Sequence, residues 1–240
     1  MKPNVRSISG AALMLVIIPI FAGLLACMPE YVPLGNPERA RVDDGMSGMW
    51  FVNGAGDGES LIGLVVLLQP WDKRTWLVTN LMIGEADGAD LDQYEAEFDV
   101  STYEGFIDFF GHPDLDESEL ELGTLQYKGW LAKLGGETFL TWEVRATVDQ
   151  PDKLLEPWFW QDFRVTERAP DRIVLHLIDT AFPPLKEAPA TKRDWEKVVR
   201  KYADDDALYH EDAIVLQRVK EDDIEFFVDL LNKALLGPIL

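Results

Sequence analysis

Beyond residue 47 the chain is interrupted too often to be mainly helical. Strand-length runs recur, and glycine, proline or aspartate breaks them about every 8–12 residues. Gly48–Asn53, Leu61–Gln69 and Thr75–Ile83 read as three successive strands. Gly54-Ala55-Gly56-Asp57-Gly58 separates the first two, and Pro70–Arg74 the next two. Leu61–Gln69 is apolar almost without a break, as a strand covered on both faces would be. Leu125–Leu134 and Thr138–Val148 make the clearest hairpin, because Gly135-Gly136 between them allow the positive φ of a tight turn. Trp158–Glu167 and Arg172–Asp179 make a second, around Pro170-Asp171. In the first strand of that hairpin Trp158, Trp160, Asp162 and Arg164 share one face, and Phe159, Gln161, Phe163 and Val165 the other. Ala213–Val219 reads as the last strand.

Helical spacing occurs in three places. Thr102–Phe110 carries Tyr103, Phe106, Ile107 and Phe110 at intervals of three and four. Thr191–Tyr202 has Thr191 as N-cap and Trp195, Val198, Val199 and Tyr202 on one side. Asp222–Leu236 carries Ile224, Phe227, Val228, Leu231 and Leu235 on one stripe, and Gly237-Pro238 stops it. Glu85–Asp99 is acidic, with a strand-like end at Tyr94, Ala96 and Phe98, and Asp114–Glu121 reads as an acidic loop. The expected fold is mainly β: about eight or nine strands in an antiparallel sheet that closes into a barrel, curls into a half-barrel or stacks as a sandwich, with two C-terminal helices.

The N-terminus reads as targeting rather than fold. Lys2 and Arg6 precede an uncharged run, Ile8–Leu25, which Pro19 interrupts and which ends in Leu24-Leu25-Ala26-Cys27. Cys27 is the only cysteine, so no disulfide is expected. Taken on its residues, the run is marginally long enough to be a transmembrane anchor. Its ending resembles the lipobox of bacterial lipoproteins. That resemblance implies cleavage after Ala26, a lipid on the Cys27 thiol and attachment to a membrane of the cell envelope. In enteric members an Asp after the cysteine favours the inner membrane. Met28 stands there instead, which implies the outer membrane, facing the periplasm. Two or three acyl chains anchor stably where one does not.

The expected division is therefore a leader at 1–26, a tether at 27–46 and a single β-rich domain at 47–240. Pro29, Pro33 and Pro37 keep the tether from forming regular structure for long. Pro33-Leu34-Gly35-Asn36-Pro37 together with Gly48-Met49-Trp50 resembles the opening of a group of bacterial lipoproteins, a likeness that implies no activity. Gly48-Met49-Trp50 also resembles the Gly-x-Trp signature of lipocalins, antiparallel barrels that enclose small apolar ligands. The resemblance implies that Trp50 plugs one end and that Arg218, on the last strand, packs over its ring. The lipocalin Thr-Asp-Tyr signature is missing from the middle of the chain.

Charge narrows the partners. The formal net charge is −21, and the leader carries two of the 22 basic residues and no acid. Nucleic acid is excluded as a partner, since its phosphates would be repelled. An anionic bilayer would repel the body as a whole, and the same charge keeps the chain soluble.

No catalytic set emerges. His112, His176 and His210 are the only imidazoles, and the chain has no Gly-x-Ser-x-Gly elbow. The run from Asp114 starts like a calcium loop but has Glu119 where glycine is needed and Leu125 where glutamate is needed. The expectation is no enzyme activity, no metal and no cofactor. Trp71, Trp76, Trp130, Trp142, Trp158 and Trp160 lie on or beside strands, and Trp142, Trp158 and Trp160 are the candidate ligand contacts. Two functions follow as expectations. One is binding of an apolar or amphipathic small molecule. The other is an envelope interaction or assembly factor that docks an unnamed protein through acidic loops or the helix at Asp222–Leu236.

Overall fold

A computed structural model describes residues 33–54, 61–86, 91, 98–147, 160–188 and 191–236. Eight strands follow in chain order: β1 (Gly48–Asn53), β2 (Leu61–Pro70), β3 (Trp76–Glu85), β4 (Leu120–Leu134), β5 (Glu137–Thr147), β6 (Trp160–Arg168), β7 (Arg172–Ile178) and β8 (Tyr209–Arg218). Each pairs antiparallel with the next, and β8 pairs with β1 from Trp50↔Arg218 to Asn53↔Val215. That last pairing closes a lipocalin-like barrel and excludes the half-barrel and the sandwich. Closure also removes the free edges on which another chain could pair. Register shifts at Leu61/Gly63, Gln126/Tyr127, Val165/Glu167 and His176/Ile178 bend the strands around the turn of the barrel.

Three tight connections, at residues 71–75, 135–136 and 169–171, lie at one end of the barrel, and the long connections lie at the other. Gly135 and Gly136 have φ of 62° and 94°, as their turn requires. Side chains alternate across the wall: Trp50 and Val52 enter the inner core, while Met49 and Phe51 join an outer one. Both faces are apolar because the outer one is also covered. Helices α1 (Tyr103–Phe110) and α4 (Ile224–Leu236) lie against β1–β4, where Phe51, Val65, Leu81 and Ile83 meet Phe106, Phe109, Phe227 and Leu230. The short α2 (Pro183–Lys186) and α3 (Lys192–Tyr202) cover Ala132, Leu134 and Phe139 with Leu185, Trp195 and Val199. Thr191 caps α3 as expected, accepting from the Asp194 N–H at 3.3 Å. No helix among the described residues is long and apolar enough to cross a membrane.

Four expectations need correction. The folded body begins before residue 47. Residues 33–46 of the expected tether pack on the barrel, and Leu34 and Met46 are both 0 % exposed. A buried leucine between two prolines has no periodicity to betray it. β4 begins at Leu120, inside the expected acidic loop, because Leu120 and Leu122 pack toward the outer core between acids. β8 begins at Tyr209, four residues before the expected start. The stripe of α4 is rotated: Phe227 and Leu230 are buried, whereas Ile224 and Val228 are 41 % and 40 % exposed. The strand-like stretch at Tyr94 and Ala96 lies outside the described residues.

Candidate functional site

The end with the tight turns is closed by a built plug. Trp50 lies inside, fully buried, and donates its indole N–H to Met46 O at 2.9 Å. Trp76 stands beside it in the same core and donates to Ser47 Oγ at 3.1 Å. Arg218 pairs with Trp50 across the strands and places its guanidinium carbon 4.1 Å from the indole centroid. Such a contact contributes about 0.5–2 kcal/mol. The same guanidinium donates to the carbonyls of Ser47 at 3.0 Å, of Gly45 at 2.7 Å and of Pro170. It therefore ties the chain before β1 to the β6–β7 turn. Gly48 is required here. Its φ is 132°, and a Cβ would stand 2.5 Å from Arg218 Nη1. The Gly-x-Trp pattern thus has a local physical reason: the glycine makes room for the cation that covers the tryptophan.

Above the plug the interior is packed by Val66, Val78, Tyr127, Leu140, Trp142, Phe163, Leu175 and Leu216. Trp142 meets Phe163 edge-on at 4.9 Å and Tyr127 at 5.6 Å. Seven apolar residues pack against this core while only partly buried: Leu64, Leu125, Leu177 and Ile214 toward the end with the long connections, and Val42, Leu131 and Val165 toward the other.

Polar atoms stand among these apolar ones. Asn80 and Tyr127 both stand on the inner face, on neighbouring strands. Burial keeps the Tyr127 proton in place by pushing its pKa up. Asn80 Oδ1 and Trp142 Nε1 are buried without a hydrogen-bond partner. Each such atom costs about 1–3 kcal/mol in a dry core. Donor and acceptor capacity therefore lies unused in the same inner core as these partly buried residues.

Of the expected ligand contacts, Trp142 faces the interior. Its cross-strand partner is Gln161, whereas Trp160 pairs with Glu143. Trp160 therefore holds the register position that alternates away from Phe163, on the other face from Trp142. Trp158 lies outside the described residues, as does Cys27. The two strands are legible in the sequence, but their register, which sets Trp142 opposite Gln161 and Trp160 opposite Glu143, is not.

A second polar group, which sequence reasoning missed, lies on the outer wall. Asp162 is 3 % exposed. Its Oδ1 accepts from Thr141 Oγ1 at 2.5 Å and from the Leu34 N–H at 3.2 Å, and its Oδ2 has no hydrogen-bond partner. Leu34 O accepts from Trp130 Nε1 at 2.8 Å and from Thr141 Oγ1 at 3.3 Å. Next along the chain, the Gly35 N–H donates to Glu196 Oε1 at 3.0 Å, and Gly35 O accepts from Lys192 Nζ. Burial pushes the Asp162 pKa up to about 7, against the pull of its two donors and of Lys192. One acid among 43 in the sequence offers no sign of this role.

The histidines are dispersed. His112 stands edge-on to Phe98, His176 to Tyr209, and His210 Nε2 is 3.9 Å from Asp179. Among the described residues no three His, Cys, Asp or Glu side chains gather as a metal site would require. Tyr209, held up to about 12 mainly by burial, donates to Ala203 O at 2.6 Å. No family model, no curated protein and no solved structure matches this chain.

Proposed function

We propose that this is a lipid-anchored protein of the cell envelope that binds a small apolar or amphipathic molecule in the upper part of its barrel, without catalysis. One observation carries the reading. Leu64, Leu125, Leu177 and Ile214 belong to the inner core toward the end with the long connections and are only partly buried, beside unpaired Asn80 Oδ1 and Trp142 Nε1. An apolar body supplies the affinity in such a site, and a few polar groups fix orientation. The ligand's polar group is neutral, an alcohol, amide or carbonyl. Arg218, the cation of the inner face, is engaged by Trp50 and three carbonyls, and a net charge of −21 disfavours an anion.

The anchor and the outer-membrane location rest on Cys27 and the residues before it. Replacing Cys27 with alanine is expected to leave an unprocessed, unlipidated precursor, and processing that persists would refute the anchor.

Native mass spectrometry of Met28–Leu240 purified from a bacterial host tests the binding. The expected result is an added mass that disappears on denaturation. A bare mass, with no uptake of dodecan-1-ol, would turn the reading toward the interaction factor. One feature favours that second reading: Ile224 and Val228 stay exposed one turn apart on α4. Against it, the buried side of the same helix is already engaged by the barrel wall.

A further inference from the structure

The segment before β1 is held on the outer wall by side chains that grip its backbone, and one of them can change its charge. Trp130, Thr141 and Asp162 stand abreast on β4, β5 and β6, because Thr141 pairs with Trp130 on one flank and with Asp162 on the other. The backbone of Leu34 lies across this row. Its N–H meets Asp162 Oδ1, and its C=O meets Trp130 Nε1 and Thr141 Oγ1. Gly35 presses the segment against the wall: its φ is 70°, and a Cβ there would stand 2.4 Å from that of Ala132. Water is therefore kept from Asp162, which is 3 % exposed.

Thr141 has one hydroxyl proton for two acceptors, Asp162 Oδ1 at 2.5 Å and Leu34 O at 3.3 Å. A protonated Asp162 can donate to Thr141 Oγ1, which leaves the hydroxyl proton to Leu34 O. An ionised Asp162 only accepts. Thr141 then turns to it, and Leu34 O keeps Trp130 alone. The ionised group is also short of donors. Its Oδ1 has Thr141 and the Leu34 N–H, while its buried Oδ2 has no partner. A buried carboxylate in that state is stabilised by whatever admits water. The wall behind it is a closed ladder, so the segment in front is what yields.

Other charges stand near this row. Lys192 and Glu196 face Asp162 from α3, 3.9 Å apart, and act on its proton in opposite directions. In the row on one side, Arg164 is bonded to Glu137 at 3.2 Å and pairs with His176 across β7. In the row on the other side, Glu143 pairs with Lys128. Residues 33–36 carry no charge. Of all these titrating groups only Asp162 is buried.

We propose that residues 33–36 are a strap locked by the proton on Asp162: the strap is seated while the carboxyl keeps its proton, and ionisation releases it from the wall with the barrel intact. Release leaves behind the Trp130 indole N–H, the Thr141 hydroxyl and the Asp162 carboxylate, the groups that gripped the backbone. This lock is independent of the ligand reading, since Asp162 lies on the outer wall.

Hydrogen exchange at the Leu34 and Gly35 amides reads the strap directly, because their acceptors are Asp162 and Glu196. It is measured by NMR on Tyr31–Leu240, a compact unit with its own core, at a series of pH values. Each observed rate is compared with the intrinsic rate at the same pH, which cancels the chemistry of exchange itself. Protection of both amides is expected to fall by about tenfold or more between about pH 5 and 7, and to level off above. The strap amides should respond little to about 1 M urea, because lifting the strap exposes little surface, whereas the ladder amides of β2 and β3 should lose protection. The Asp162 side-chain carboxyl resonance should titrate with the same midpoint as the strap amides. D162N should hold protection level with pH. E196Q and H176Q, which remove other titrating groups of this wall, should keep the fall. The proposal is overturned by level protection in the parent, by a fall that persists in D162N, or by a urea response equal to that of β2 and β3. An Asp162 carboxyl that titrates in the ordinary carboxylate range overturns it without any variant.

Discussion

The barrel has two covered walls, and they are held by opposite chemistries. The wall under α1 and α4 is aromatic. Phe106 stacks on Phe227 at 5.9 Å and 12°, Phe51 meets Phe106 at 4.9 Å, and Phe110 meets Phe226 at 5.2 Å. Its main polar tie lies at the edge, where the Tyr103 hydroxyl donates to Asp223 at 2.5 Å and accepts from the Lys220 N–H at 3.0 Å. The wall under α3 instead holds a segment of chain by a network centred on Asp162, Thr141 and the two polar groups of Leu34. Ring packing depends on volume and is indifferent to acidity. A buried carboxyl depends on whether it carries a proton.

The largest effect is expected on the aromatic wall. Phe106→Ala should cost about 3–5 kcal/mol in urea unfolding, with no change between pH 5 and 8 beyond that of the parent. A cost under about 1 kcal/mol would mean that α1 is not bound through that ring.

Next comes the polar wall. Leu34→Ala should cost about 2–5 kcal/mol, because the side chain is fully buried under α3. A near-zero cost would return residues 33–46 to the status of a tether.

Acidity separates the walls further. The folded pKa of Asp162 is raised to about 7 from an ordinary value of 3.8. The folded protein therefore keeps a proton that the unfolded chain releases, and stability from this group is full below the unfolded value. It declines as pH rises toward about 7 and is flat above. Asp162→Asn, which cannot ionise, should remove that decline, so that the parent loses a few kcal/mol relative to the variant between pH 4 and 8. Parallel pH profiles would show that the carboxyl is not buried as described.

The smallest effect belongs to the outer side of α4. Ile224→Ser with Val228→Ser should together cost about 1–2 kcal/mol, less than either substitution above, since each side chain is about 40 % exposed. A larger loss would mean that the aromatic wall extends to that face.

What the sequence reveals about these regions follows from how local each feature is. The Gly135-Gly136 turn, the Thr191 cap and the Pro70–Arg74 break between β2 and β3 are written within a few residues, and the structure has all three. The pairing of Trp50 with Arg218 is 168 positions distant, and only the likeness to lipocalins brings the two together. Features set by register or by tertiary burial are silent. Nothing in β5 or β6 says that Trp142 opposes Gln161 rather than Trp160. Nothing around Leu34 marks it as buried, for its neighbours are turn residues. The acids at Glu119 and Glu121 argue for a loop, but they flank leucines that decide the strand. Asn80 and Tyr127 read as ordinary strand residues until closure of the barrel turns both inward.

The seating of Leu34 has a mechanical consequence. A pull entering from residues before Pro33 meets this wall first, where the Leu34 N–H and C=O and the Gly35 N–H are gripped from the side by Asp162, Trp130, Thr141 and Glu196. Such grips open in succession, like a zip. β1 lies farther along the chain and is bonded to β2 and β8 on both flanks, so it would have to shear two ladders at once. The segment at 33–46 is thus a fuse: under tension it lengthens the chain while the barrel stays shut.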